Sequence, residues 1–267
     1  MHGKERVMRP LIERYLDLEV ESHVEINTDE FGTFTGEVER CFDPITTLRN
    51  KILKGLEVSR LTLGIGNEGS FGPHPEMPFI TCDQEIAMLI DLENNIEIFE
   101  VETATHTNHA RKEINSVKDL HEFATLSNFP SHALILKQVK DGNVTEIRKG
   151  ILVWELLYTI MHEFSRSDTI IIAETDMRAH LNPTRMKVIE KATENLLKKL
   201  TNTCPECRWP GFTCVETKPG LKCSQCGQPT LIMLSKIYQC KSCDYRDERF
   251  YLKGQKADPQ YCDHCNP

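Results

Sequence analysis

Four Cys-x-x-Cys pairs crowd the last quarter of the chain: Cys204/Cys207, Cys223/Cys226, Cys240/Cys243 and Cys262/Cys265. They hold eight of the eleven cysteines. Two residues between two thiolates let one tight turn present both sulfurs to a single ion, and two such turns complete a tetrahedral zinc site. Read in order, the pairs give Cys-x2-Cys-x15-Cys-x2-Cys and Cys-x2-Cys-x18-Cys-x2-Cys, both within zinc-ribbon spacing. Two small zinc ribbons follow, structural because four thiolates leave no open coordination position. Sequential pairing is expected over an interleaved cross-brace, since each zinc then closes a shorter loop. Gly227, directly after Cys226, suits a knuckle turn with positive φ. Cys214 is surplus and reads as a small buried or free thiol.

Disulfides and redox chemistry are the competing readings. The opening MHGKERVMRP has no apolar signal core, and 267 residues exceed a small stapled scaffold. Four evenly spaced pairs also differ from a lone redox Cys-x-x-Cys. Reduced thiolates place the protein in the cytoplasm. No stretch approaches the roughly 20 apolar residues of a membrane span. Net charge is −8. Residues 204–267 carry nine basic against seven acidic side chains, and each four-thiolate zinc adds about −2. The tail thus lacks the basic footprint of a nucleic-acid binder.

Ahead of the tail, helical periodicity marks residues 5–16, 44–58, 116–127, 150–164 and 183–200. Pro44, Ser116, Asn182 and Pro183 mark helix starts. Strand patterns fall at 18–26, 61–65, 133–137 and 169–173, with a hairpin 86–103 around Glu93-Asn94-Asn95. This alternation predicts an α/β unit over residues 1–200, a mixed sheet flanked by helices, followed by the ribbons over 201–267.

Two segments can carry chemistry. Gly64-Ile-Gly-Asn-Glu-Gly-Ser-Phe-Gly-Pro-His-Pro75 has four glycines and two prolines directly after an apolar strand. Read as a loop, it brings backbone N–H groups to an anion, with Glu68 to hold Mg2+ and Ser70 to donate to a phosphate. Its spacing matches neither a P-loop nor a dinucleotide fingerprint. A structural loop is the plainer alternative. Glu174-Thr-Asp-Met-Arg-Ala-His-Leu-Asn-Pro-Thr-Arg185 gathers Asp176, Arg178, His180 and Arg185 after a strand. Arginines there clamp phosphate and a carboxylate serves as base; a salt-bridged turn explains it equally well. Lys4, in a Gly-Lys turn before the first helix, is a third anion contact. The loop with Asp29, Thr33 and Thr35 is as readily solvated, and His106 and His109 lack a carboxylate partner for a metal.

MHGKER, TDEFGTFTGEVER, GNEGSFGPHP, ETDMRAHLNPTRM and CPECRWPGF…CSQCGQPT together resemble an uncharacterised bacterial family known only as a domain of unknown function. The resemblance spans nearly the whole chain. It implies an identity and no activity. This chain has Gly66-Asn67 where that pattern has Ala-Ser, and it starts at the MHGKER motif, where the pattern has a short apolar strand first. More distantly, the order of Lys4, Asn50-Lys51, Glu68 and the 86–103 hairpin is similar to inosine-triphosphatase-like nucleotide pyrophosphatases. That likeness implies Mg2+ on Glu68 with Asp83, Glu85 or Asp91, phosphates on Lys4 and Arg178, and water attacking a phosphoanhydride. The leading expectation is Mg-dependent hydrolysis of a nucleotide or similar phosphorylated ligand, with Glu68 and Asp176 catalytic and Lys4, Ser70, Arg178, His180 and Arg185 binding. The alternative is a non-catalytic adaptor whose ribbons dock protein or nucleic acid.

Overall fold

A computed structural model describes residues 3–22, 42–165, 169–250 and 254–267. The chain divides into two compact units, Met1–Leu196 and Leu197–Pro267. The mixture of helix and sheet expected from the sequence is present, and every pairing between named strands is antiparallel. Short turns account for the β2–β3 and β5–β6 hairpins, because parallel neighbours need long crossovers. The loop with Asp29, Thr33 and Thr35 lies outside the described residues, as do residues 23–26 of the expected 18–26 strand, whose described part, 18–22, is not a strand.

Unit one opens with α1 (Glu5–Leu16) and α2 (Pro44–Ser59). Asp43 starts α2 by accepting from Ile45 N and Thr46 N, each at 3.0 Å, and Pro44 fits the first helical position. The meander β1 (Leu63–Pro73), β2 (Thr81–Asp91) and β3 (Ile96–Ala104) follows, with β2 central. One correction concerns β1. The glycine-rich segment read as a ligand loop is a continuous strand through residue 73. Gly64 and Gly66 make room for α2. A Cβ on Gly66 would stand 2.8 Å from Ile52 Cγ1 and 2.9 Å from Leu48 Cδ1, and one on Gly64 would stand 2.8 Å from Ile52 Cγ2. Leu48, Ile52 and Leu56 thereby reach Ile86, Met88 and Ile90 to form a small core.

A second sheet has the order β4-β7-β5-β6, built from Arg111–Ile114, Ile170–Thr175, Leu134–Lys140 and Asn143–Ile151. Helices α3 (Val117–Leu126) and α4 (Trp154–Phe164) bury Leu120, Phe123, Leu157, Ile160 and Phe164 against its Leu134, Leu136, Ile171 and Ala173. Asp141 and Gly142, at φ 51° and 80°, close the β5–β6 hairpin with the positive φ pair such two-residue turns require. Residues 150–153, expected to open a helix, finish β6 and lead into α4. Helix α5 (Pro183–Thr201) starts where Asn182 Oδ1 accepts from Arg185 N at 3.0 Å. Its Arg185, Lys191 and Asn195 reach β2 and β3 at Glu85 and Glu102.

Unit two carries β8 (Thr213–Pro219), β9 (Met233–Gln239) and β10 (Arg246–Phe250), with β9 central. Its aromatic core is Phe212, packed by Trp209, Tyr238 and Tyr245 around Cys204 and Cys240.

Candidate metal centres and a buried charge cluster

Three of the four cysteine turns share one local design. Cys204 N donates to Trp209 O at 2.9 Å, Cys223 N to Gln228 O at 2.8 Å and Cys240 N to Tyr245 O at 2.9 Å. The residue four positions after each of these three cysteines adopts positive φ: Arg208 at 61°, Gly227 at 73° and Asp244 at 58°. Amides point at sulfur, with Gln225 N 3.4 Å from Cys223 Sγ and Ser242 N 3.3 Å from Cys240 Sγ. Such donors favour thiolate over thiol.

All eight cysteines enter two clusters, but in interleaved order. One cluster is Cys204, Cys207, Cys240 and Cys243; the other is Cys223, Cys226, Cys262 and Cys265. The expected sequential pairing is thereby overturned. Closing loops of about 40 rather than about 25 residues costs only about 0.5 kcal/mol per centre. A preference that small yields to where β8, β9 and β10 bring the turns. The sulfurs fit the ion. Neighbouring Sγ atoms stand 3.7 Å (Cys204–Cys243), 3.6 Å (Cys207–Cys240), 3.9 Å (Cys223–Cys265) and 3.6 Å (Cys226–Cys262) apart. A tetrahedron with Zn–S bonds of 2.3 Å has edges of about 3.8 Å. A disulfide needs about 2.05 Å, and all eight cysteines are free. Cys214 belongs to neither cluster and contacts Glu216 O at 3.3 Å.

The sequence candidates in unit one divide into two neighbourhoods. In the first, Lys4 Nζ donates to Asn67 O on the edge strand β1 at 2.8 Å. Lys4 is half-buried as a residue, but its ammonium is enclosed. Burial first, then Arg185, lowers its pKa to about 8, against the pull of Glu85 and Glu68. Glu68 is buried and pairs with Lys51 Nζ at 2.8 Å. Arg185 is fully buried: its Nε donates to Glu85 Oε1 at 2.6 Å, its Nη1 donates to the Met177 carbonyl, and its guanidinium lies 5.2 Å from the Phe71 ring. Gly69 permits that ion pair, since a Cβ there would stand 2.5 Å from Glu85 Oε1 and 2.6 Å from Arg185 Nη2. Asp83 lies two residues before Glu85. Burial first, then the Glu85 charge, raises its carboxyl to about 8, against the pull of Arg185 and Lys4.

Strand register separates these carboxylates. Glu68 pairs with Ile86, whereas Gly69 pairs with Glu85 and Phe71 with Asp83. Alternation therefore sets Glu68 on the α2 face with Ser70, and Asp83 and Glu85 on the α5 face. Asp91 caps the hairpin turn through Glu93 N and Asn94 N. Spacing had not singled out Asp83 and Glu85, which entered through resemblance alone. The available signal was acidic residues two apart in the strand CDQEIAMLI, which is buried along most of its length.

The second neighbourhood holds Asp176, Arg178 and His180. Asp176, wholly buried, accepts from Gly150 N at 3.1 Å, from Arg178 N at 3.1 Å, and from Arg178 Nε at 3.0 Å and Nη2 at 2.6 Å. Expected as a catalytic base, it is saturated as the clamp joining β6 to the turn after β7. Arg178, expected on phosphate, is the other half of that clamp. His180 is exposed and packs beside Gly3. Among the described residues, the two cysteine clusters are the only groups of three or more His, Cys, Asp or Glu side chains placed to hold a metal.

The family model described as Domain of unknown function (DUF6671) matches residues 51–267. The chain belongs to that family. The DUF6671 match spans Lys51, Glu68, Asp83, Glu85, Arg185 and all eight cysteines, and begins after Lys4. No curated protein and no solved structure matches, so the likeness to nucleotide pyrophosphatases gains no support. No helix among the described residues is long and apolar enough to cross a membrane.

Proposed function

We propose that unit two holds two structural zinc ions, and that unit one binds a nucleotide or related phosphorylated small molecule and hydrolyses its phosphoanhydride with Mg2+. The observation that supports the ligand reading is the gathering of Lys4, Lys51 and Arg185 with Glu68, Asp83 and Glu85 around β1 and β2. A lysine held low beside a carboxyl held high in one buried cluster is the kind of perturbation functional sites use. Lys51 keeps some solvent access and takes the phosphate oxygens, with the enclosed Lys4 ammonium adding its charge. Arg185 stays behind them as a fixed positive charge that orients Glu85. Water attacks phosphorus, a carboxylate of the cluster takes the water proton, and the P–O bond to the leaving phosphate breaks. Mg2+ supplies charge neutralisation on the phosphate oxygens. Asp176 and Arg178 position the chain around Gly150. Reduced thiolates suit a cytoplasmic location.

A panel of nucleoside triphosphates and diphosphates with Mg2+ tests this by phosphate release and thermal shift. At least one should raise the melting temperature and turn over, and Lys51→Met should raise KM. No shift and no turnover with any member refutes the reading. Exposed Leu231 (78 %), Phe250 (58 %) and Val215 (50 %) on unit two favour a second reading, an adaptor that docks a protein partner. Under it, binding of that partner survives Lys51→Met.

A further inference from the structure

His132 belongs to no motif of the sequence. It sits in the turn between α3 and β5 and is 6 % exposed. Both of its ring nitrogens are engaged. Nδ1 stands 2.9 Å from Ser131 Oγ, and Nε2 stands 2.9 Å from Thr184 Oγ1 and 3.2 Å from Thr184 N. Two neighbours fix where the ring proton is. The Thr184 amide can only donate, so Nε2 is the acceptor. Ser131 Oγ gives its own hydrogen to Asn128 O at 2.6 Å, so Nδ1 carries the N–H and donates to that hydroxyl oxygen.

Thr184 is the second residue of α5, and its amide is one of the donors that a helix start leaves without an intrahelical partner. The rest of this end is met locally. Pro183 has no N–H, Arg185 N donates to Asn182 Oδ1 at 3.0 Å, and Met186 N donates to Asn182 O at 3.1 Å. His132 thus caps α5 from 52 residues away in sequence. A proton on Nε2 sets an N–H against the Thr184 N–H, and a positive charge at the positive end of the helix dipole. Burial leaves little water to replace the lost acceptor.

The surrounding charges give no welcome to that proton. Lys187, on α5, opposes it. Asp176 is tied to the His132 segment through its amide and Ala133 O at 2.8 Å, but its carboxylate is taken by Arg178. Arg185 is turned to Glu85. Burial first, with Lys187 adding to it, holds the ring pKa below its usual 6.5, against the pull of the Asn128 carbonyl.

Arg185 follows Thr184 in the same first turn, and from there reaches Glu85 Oε1 at 2.6 Å and the Met177 carbonyl. Whatever frees the start of α5 also frees that arm. We propose that His132 is an acid-sensitive latch: neutral, it pins the first turn of α5 and keeps Arg185 on Glu85; protonated, it releases both. The sign follows from the lowered pKa. The latch holds fully above the unfolded value of 6.5 and is lost as pH falls below it. It goes beyond the ligand reading and stands without it.

The test is nitrogen-15 NMR of the full zinc-loaded chain between pH 5.5 and 7.5. His132 should show its proton on Nδ1 and a titration midpoint below 6.5. The Thr184 amide and Arg185 Nε–H should lose hydrogen-exchange protection several-fold on going from pH 7.5 to 5.5, after correction for intrinsic rates. The unfolded value of 6.5 sets a ceiling of about tenfold. His132→Gln offers an acceptor where Nε2 stands and takes no proton, so protection should stay flat across the range. His106→Gln, exposed after β3, should leave the pH dependence unchanged. The unaltered chain decides the matter even where His132→Gln does not fold. A ring proton on Nε2, or a midpoint at or above 6.5, overturns the proposal. Protection that ignores pH overturns it too, as does an equal pH dependence in a folded His132→Gln variant.

Discussion

The interleaved order of the cysteine turns predicts an unusual pattern of zinc loss. Consider two double variants. Cys204→Ser/Cys240→Ser removes two ligands from one cluster and none from the other. Cys204→Ser/Cys223→Ser removes one from each. Neighbouring sulfurs stand 3.6–3.9 Å apart, against about 3.8 Å for a tetrahedral thiolate site, so each centre should bind with full strength. That strength is on the order of 10–16 kcal/mol for structural zinc, comparable with the whole stability of a typical domain. Either loss should therefore be all-or-none at the centre concerned. Native mass spectrometry under reducing conditions should count one zinc in the first variant and none held tightly in the second. Limited proteolysis should open the second variant more widely. Sequential pairing demands the opposite, one zinc for Cys204→Ser/Cys223→Ser and none for Cys204→Ser/Cys240→Ser. That outcome would refute the geometry.

Gly66→Ala pushes a methyl within 3 Å of Ile52 and Leu48, and should destabilise unit one by about 1–3 kcal/mol in urea denaturation. Gly69→Ala should be worse, about 3–5 kcal/mol, because it splits the buried Arg185–Glu85 pair; a melting temperature equal to that of Gly66→Ala would argue against this. Ser116→Ala removes the α3 cap, whose hydroxyl accepts from Asp119 N at 3.1 Å, for a loss of about 1 kcal/mol in the same assay. The pH dependence has two limbs. Asp83 holds its proton up to about 8 when folded, against 3.8 when unfolded, so its contribution to stability falls as pH rises through that window. Lys4 sheds its proton near 8 when folded and 10.5 when unfolded, so its contribution rises between those values. Their sum has a minimum near pH 8. Without added divalent cation, Asp83→Asn should abolish the falling limb in urea midpoints across pH 5–10. An unchanged slope would exclude Asp83 as its source.

Helices were legible wherever caps and periodicity agreed: Pro44, Ser116 and Asn182–Pro183 mark starts that the structure keeps. The β6 strand was missed although Asp141-Gly142, a two-residue hairpin signal, stood in the sequence. The eight cysteines were legible as ligands because spacing alone sets the turn. Their partnership was not, because it depends on how β8, β9 and β10 pair, a long-range matter that half a kcal/mol of loop entropy cannot decide. Glycines misled most. Gly64 and Gly66 suggested backbone exposed to a ligand, whereas they accommodate helix side chains. A glycine marks close approach, and one sequence does not say of what. Asp176 was visible as a carboxylate after a strand, but the Gly150 amide that helps saturate it comes from β6, the strand not foreseen.

The crossed cysteine order also has a consequence in time. As the chain leaves the ribosome, Cys204/Cys207 and Cys223/Cys226 emerge first, two half-sites separated by a short span. Any zinc met at that moment can be caught by all four, in a pairing the finished protein does not use. The native partners, Cys240/Cys243 and Cys262/Cys265, arrive only with the last turns of the sequence. A zinc ion caught in that way must change hands between thiolates before the crossed clusters of the finished fold can form.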